Sequence, residues 1–250
     1  MTYTLSILAR LFLVLIPTCA SLARAQDTPP PQAPLPSSVV KLDETKYEVG
    51  AVKFDKQTRE IRFPAKVNMT EGLLEYLIVL PQGKVHEALL ITETSPTDLN
   101  LAFTLLRYTA SRELFAIPDQ DGRLTDKYPD VPSAIKAGAR ISIDVEWDEQ
   151  GSTRRVPISD WIQHAVKTTA MDAGPWVYSG SNLQEGKYVP EMTGDIAAIL
   201  VSPSAILNFP GTDNQDDTAW VAFPKRVPPP QTNLTVIIAP YPNTTALPKP

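Results

Sequence analysis

Leu74-Glu75-Tyr76-Leu77-Ile78-Val79-Leu80-Pro81-Gln82-Gly83-Lys84-Val85-His86-Glu87-Ala88-Leu89-Leu90-Ile91 is the stretch on which the fold turns. Two apolar runs flank the Pro81–Lys84 segment. Proline presets φ and glycine permits a tight reversal, so the pattern predicts a β-hairpin bent at Pro81–Lys84. Nearly every position in both runs is apolar, which predicts a strand pair buried on both faces.

Working outward, further strands are expected at Arg59–Val67, Arg140–Trp147, Pro175–Ser179, Asp195–Val201 and Leu234–Ala239. The alternation in Ile141-Ser142-Ile143-Asp144-Val145-Glu146-Trp147 predicts a strand with one wet face. Ser95-Pro96-Thr97-Asp98 is a helix start, with a serine cap, a first-turn proline and an acid at the positive end of the dipole. Leu99, Ala102, Phe103, Leu106 and Ala110 then recur at helical spacing. A second helix is expected from Ser159-Asp160 through Trp161, Ile162 and Ala165. The fold class that results is α+β, a mostly antiparallel, sandwich-like sheet with two or so packed helices. Strands and helices do not alternate regularly and no glycine-rich βα turn occurs, which disfavours a parallel, doubly wound sheet.

Ahead of this unit, Arg10 precedes Leu11-Phe12-Leu13-Val14-Leu15-Ile16, Pro17 follows, and Ala23-Arg24-Ala25 ends at Gln26. A positive start, a short apolar core and an A-x-A exit predict a secretory signal peptide over 1–25, and hence export to the periplasm or the medium. The run is far short of the ~20 residues that cross a bilayer, so no transmembrane anchor is expected. Residues 26–44 read as a Pro-rich linker, 45–240 as a single globular domain and 241–250 as a flexible tail. Lys plus Arg number 23 against 28 Asp plus Glu, a net charge of −5. Loss of residues 1–25 removes Arg10 and Arg24 and no acid, leaving about −7, which argues against nucleic acid or an anionic membrane as partner. The one cysteine, Cys19, lies in the expected signal. A mature chain without it has no disulfide, thiol nucleophile or Cys ligand and depends on its core. Lipid attachment at Cys19 is the rival use, which Ile16-Pro17-Thr18 suits poorly.

The search for chemistry starts from two histidines. His86 adjoins Glu87 on the second expected strand, and His164 falls in the second expected helix. A zincin motif needs a second His four residues on, where Leu90 stands. The metal candidates are therefore His86 and Glu87 with a remote acid from Asp213, Asp216 or Asp217. A lone His hydrogen-bonded beside a sheet is the commoner use. Asp119-Gln120-Asp121-Gly122 has part of a calcium loop. With Gly122 at its sixth position, Ile117 and Tyr128 occupy the first and twelfth, where acids belong, so a turn is expected. The acids of Asp213-Asn214-Gln215-Asp216-Asp217 repel unless a cation or Arg sits among them, and a solvated loop is expected. Ser179-Gly180-Ser181 lacks the glycines of a nucleophile elbow. Ser133-Ala134-Ile135-Lys136 fits S-x-x-K without its companion motifs. N-x-S/T tripeptides begin at Asn68, Asn233 and Asn243. No catalytic set assembles from these pieces.

The block Asn68–Glu87, with Thr92, Pro96, Leu99 and Leu106, resembles the YdjY-domain family. So do Trp176–Ser181, Gly186-Lys187-Tyr188, Gly194, Asp195–Ala198 and Asn208-Phe209-Pro210. The resemblance implies an exported bacterial protein with no activity to carry over. Relatives that add a cysteine-rich, ferredoxin-like segment have no counterpart here, so iron–sulfur chemistry is not implied. It directs attention to Lys84, His86 and Glu87 and to Ser179 and Ser181 as loop residues that meet a ligand or partner. The expectation is a non-enzymatic envelope or secreted module that binds a partner protein or small ligand, without a cofactor. The rivals are a metal-binding protein or metal-assisted hydrolase using His86 and Glu87, and a periplasmic redox accessory without its own cofactor.

Overall fold

The computed structural model describes residues 38–241. The expected signal peptide, the linker up to residue 37 and the tail from residue 242 lie outside the described residues. The described residues open with an antiparallel ribbon, β1 (Val39–Lys41), β2 (Lys46–Val49) and β3 (Val52–Asp55). β1 falls within the stretch expected as linker, so regular structure begins ahead of residue 45. β4 (Ile61–Val67), β5 (Tyr76–Val79), β6 (Ala88–Ile91) and helix α1 (Pro96–Leu105) follow. Next come α2 (Ser133–Ala139), β7 (Arg140–Glu149), β8 (Ser152–Pro157), β9 (Ile162–His164) and β10 (Trp176–Tyr178). The last elements are β11 (Leu183–Gln184), β12 (Lys187–Tyr188), α3 (Val189–Thr193), β13 (Asp195–Ala198), β14 (Leu207–Asn208), β15 (Trp220–Ala222) and β16 (Asn233–Pro240).

Eight strands close into a barrel in the order β4-β16-β7-β10-β14-β13-β5-β6, and β6 returns to β4 through Lys66↔Ile91 and Val67↔Leu90. This corrects the expected α+β, sandwich-like core: the regular structure of the described residues is mostly strand, the core is a barrel and the three helices among them are short. Closure depends on β4 serving three neighbours. β16 runs along one edge, while β3 takes the first part of the other (Lys53↔Arg62, Phe54↔Ile61) and β6 the last. Pro64 sits at the changeover. Its carbonyl accepts the Thr92 hydroxyl at 2.6 Å, so the edge on which Pro64 lacks an N–H is the one where no ladder partner stands. Ile61, Phe63, Ala65 and Val67, with Ile141, Ile143, Val145, Leu234, Val236 and Ile238, point inward into one buried cluster. An eight-stranded barrel is just wide enough to be filled this way.

The expected hairpin is also corrected. β5 and β6 are neighbours but parallel, with Tyr76↔Ala88, Ile78↔Leu90 and Val79↔Ile91 in register. Parallel neighbours ordinarily need a connection of about a dozen residues or more. Here residues 80–87 suffice, because the chain doubles back over the outside of the wall. A 3-10 turn at Val85–Glu87 ends the return, and the Glu75 amide donates to Glu87 O at 3.1 Å. Asn68 holds this return, its Nδ2 donating to Val85 O at 2.6 Å and Ala88 O at 2.7 Å.

The helix expected at 159–165 is a single 3-10 turn, Ile158–Trp161, leading into β9. Ile162 and His164 are buried with Gln163 less so, and the strand pairs with β15 through Trp220↔His164 and Ala222↔Ile162. A partner some sixty residues away decides this, and helical spacing cannot reveal it. Helix α1 does form, with the Asp98 amide donating to Ser95 Oγ at 3.3 Å and Phe103 stacked on Tyr178 at 4.3 Å. It ends at Leu105, so Ala110 lies beyond it and is exposed. No helix among the described residues is long and apolar enough to cross a membrane.

Candidate functional site

The outside of the β5–β13 wall is covered rather than solvated. Tyr76, Val79, Ala88, Ala198 and Ala205 form a second buried cluster there, joined by Val85 and Ile91. Two connections act as its walls, 80–87 and 199–206. The first is seated by glycine on glycine. Gly194 has φ +81°, and a Cβ built on it would stand 2.8 Å from the Gly83 Cα. Leu80 N donates to Gly194 O at 2.8 Å. Only residues without side chains allow this approach.

Lys84, which follows Gly83, lies within reach of the Asp195 charge. The Lys84 ammonium donates to the Tyr76 hydroxyl and lies 4.4 Å from its ring centre. Burial works to lower the Lys84 amine, but Tyr76 and the charges of Asp195 and Glu87 outweigh it and hold the group above the ordinary lysine range. Asp195 is 1 % exposed. Its Oδ2 accepts the Ser204 hydroxyl, whereas its Oδ1 is buried without a hydrogen-bond partner. Ser204 has spent its proton on Asp195, so Ser202 donates to Ser204 across 2.7 Å.

A polar chain continues inward. Asn208 Oδ1 accepts Ser202 N at 2.8 Å, and Asn208 Nδ2 donates to Ser179 Oγ at 2.8 Å. Ser179, 2 % exposed, donates to Ile206 O at 3.0 Å. Ser181 donates to Ser204 O at 2.8 Å, and Tyr188 OH to Gly180 O at 3.0 Å. Of the loop candidates, Ser179 and Ser181 are tied to the 202–206 connection that carries Ser204, and Lys84 feels the Asp195 charge. Ser179 is an internal strut, and Ser181 braces the 202–205 loop. The nearby tyrosines are neutral donors: burial pushes Tyr178 up to about 12 and raises Tyr188 as well.

His86 and Glu87 stand apart from this box. The His86 side chain is 76 % exposed, and its Nε2 lies 3.5 Å from Glu87 Oε2. The neighbouring Glu75 carboxyl is raised by burial and then by the charges of Glu87 and Asp217. Asp213 is engaged elsewhere, accepting His164 Nε2 and Lys167 Nζ, each at 3.2 Å. These bonds hold its carboxyl below the usual range. Because His164 Nδ1 accepts the Val166 and Lys167 amides, the ring is the Nε2–H tautomer. Asp216 is turned to the Thr218 hydroxyl and amide and is likewise lowered. Among the described residues no group of three His, Asp or Glu side chains is placed to hold a metal ion.

The remaining motifs resolve into structure. Asp119 Oδ1 accepts the Asp121 and Arg123 amides, an ordinary turn. Lys136 of the S-x-x-K match lies 3.7 Å from Glu113 Oε2. Asn68 spends its amide on two carbonyls, which leaves it unsuited to carry a glycan; Asn233 is exposed, and Asn243 lies outside the described residues. Asp195, Ser202, Ser204 and Tyr76 were missed as site residues. The one available signal was Asp195 opening the apolar strand Asp195-Ile196-Ala197-Ala198 straight after a glycine.

Fold and site together define a class: a small, side-chain-filled β-barrel with a polar box built on its outer wall. The chain belongs to the YdjY domain family, whose match covers residues 52–239. No curated protein and no solved structure matches it.

Proposed function

We propose that the protein is an exported, non-enzymatic module that binds a partner or small ligand at the box formed by Lys84, Tyr76, Asp195, Ser202 and Ser204. One observation carries this reading: Asp195 Oδ1 is buried and unpaired. An unsatisfied buried polar atom costs about 1–3 kcal/mol, more when charged, and a ligand N–H or O–H would remove that cost. The opposed Lys84 ammonium supplies a donor for the ligand's acceptor. Ser204 and Asp195 meet without a histidine, and His86 stands outside the box, so the arrangement gives a Ser–His type of catalytic pair no support among the described residues. The signal-like residues 1–25 support export. A metal-assisted reading would need Glu87 and an acid from Asp213, Asp216 or Asp217 to converge on His86, and the absence of a three-residue ligand group among the described residues gives it no support.

The test is native mass spectrometry with elemental analysis on protein purified from its own envelope or medium. A retained mass that disappears in Asp195→Asn and Lys84→Ala is the expected result. A bare wild-type mass sinks the binding reading. A stoichiometric metal lost in His86→Ala replaces it with the metal-carrier reading.

A further inference from the structure

We propose that the cleft between the β3–β4 turn and the C-terminal end of α1 binds a phosphate- or sulfate-type oxyanion. The cleft, about 510 Å³, is lined by Lys56, Arg59, Leu105, Leu106 and Arg107. Three cations and no acid thus face one space in a chain whose net charge is −5.

The acids on the adjoining turns are committed elsewhere. Asp55 Oδ1 accepts the Gln57 and Thr58 amides. Glu60 lies 3.0 Å from Arg62 and 4.0 Å from Arg155. Asp43 and Glu48 pair with Lys46 and Lys53. Neither Lys56 nor Arg107 forms an ion pair among the described residues; Lys56 instead stands 4.0 Å over the Tyr47 ring.

Arg59 is held in place before any ligand arrives. Its Nε donates to Leu106 O at 3.0 Å and its Nη2 to Arg107 O at 3.3 Å. The guanidinium lies 4.2 Å over the Tyr108 ring, and Tyr108 OH returns a bond to Arg59 O at 2.7 Å. Nη1 remains for a ligand. Arg59 and Arg107 both adopt left-handed backbone, at φ 61° and 58°. That conformation costs an arginine about 1–2 kcal/mol, and Arg107 follows a helix C-cap, where glycine is usual. Like charges gathered without a counter-ion repel; a planar guanidinium flanked by a second guanidinium and an ammonium matches the oxygens of a tetrahedral oxyanion.

The full chain, labelled with ¹⁵N, is titrated with inorganic phosphate at an ionic strength held constant by chloride. Saturable shifts of the Lys56, Arg59 and Arg107 amides are expected. Lys56→Ala/Arg107→Ala removes two exposed, unpaired cations and leaves the Arg59 clamp in place; its phosphate affinity is expected to fall at least about tenfold. Co-sedimentation with phosphatidylglycerol and with phosphatidylcholine vesicles distinguishes the source. Pelleting with the former alone, lost in the double variant, assigns a lipid headgroup, while phosphate binding without pelleting assigns a soluble oxyanion. Shifts that never saturate, or an affinity unchanged in a double variant with a normal denaturation midpoint, overturn the proposal.

Discussion

The two sides of the barrel are built on different terms. The β4–β16–β7 wall has long antiparallel strands in unbroken register, six pairs from Asn233↔Lys66 to Ile238↔Ile61 and six more from Thr235↔Glu146 to Pro240↔Ile141. Its residues alternate inward and outward, and its outer face carries a charge ladder in which Arg62 meets Glu60 and Glu146 while Arg155 meets Asp144. The β5–β13–β14 wall is short, shifts register twice between Asp195 and Ala198, includes the parallel pairs β5–β6 and β13–β14, and is buried on both faces. Regularity on one side leaves only solvated ion pairs outside. Irregularity on the other lets two connections fold over the wall and shut a carboxylate beneath them.

The largest expected effect breaks the irregular side at its seat. Gly194→Ala places a methyl against Gly83 and an alanine at φ +81°, and denaturant unfolding should show a loss of about 3 kcal/mol. Asn68→Ala frees the carbonyls of Val85 and Ala88, for an expected loss of about 2 kcal/mol and faster amide exchange over 85–91. If those amides stay protected, the parallel return does not depend on Asn68.

The next prediction turns on sign. Asp195→Asn keeps an acceptor for Ser204 and removes a buried charge, so stability should hold or rise by about 1 kcal/mol. Asp144→Asn on the regular wall breaks a half-exposed pair with Arg155 and should cost about 0.5 kcal/mol. Opposite signs in urea melts would sharpen the contrast, and equal losses would erase it.

The smallest effect is read from pH. Burial holds the Glu75 carboxyl above the ordinary glutamate value of 4.5, so the fold favours its protonated form. That contribution is present below the unfolded value and lost as pH rises through the folded one. Glu75→Gln should therefore gain on the wild type at neutral pH and converge with it toward pH 4 in thermal melts. Asp213 and Asp216, lowered from 3.8, contribute in the other direction, with stability present above that value and lost as pH falls through their folded values.

Much of the regular wall was legible residue by residue. Alternation in Ile141–Trp147 and the runs at 59–67 and 234–239 became β7, β4 and β16, because a strand with one wet face writes its period into the chain. The candidate site was legible only in part. Lys84, Ser179 and Ser181 were marked, but Asp195 was not, since a buried acid and an exposed one are spelled alike.

By itself the sequence determined that β4, β5, β6, β7, β10, β13 and β16 are strands, where α1 starts at Ser95–Asp98, and that residues 38–241 contain no cysteine. Those are local matters of side-chain period, capping and composition. Only the tertiary structure decided that β5 and β6 run parallel, that residues 162–164 join a remote strand, and that β6 closes the ring on β4. The physical reason is that a run apolar on both faces carries no mark of direction or neighbour. Partner and orientation are chosen by contacts distant in sequence, among them Gly83 on Gly194 and Asn68 on the returning chain.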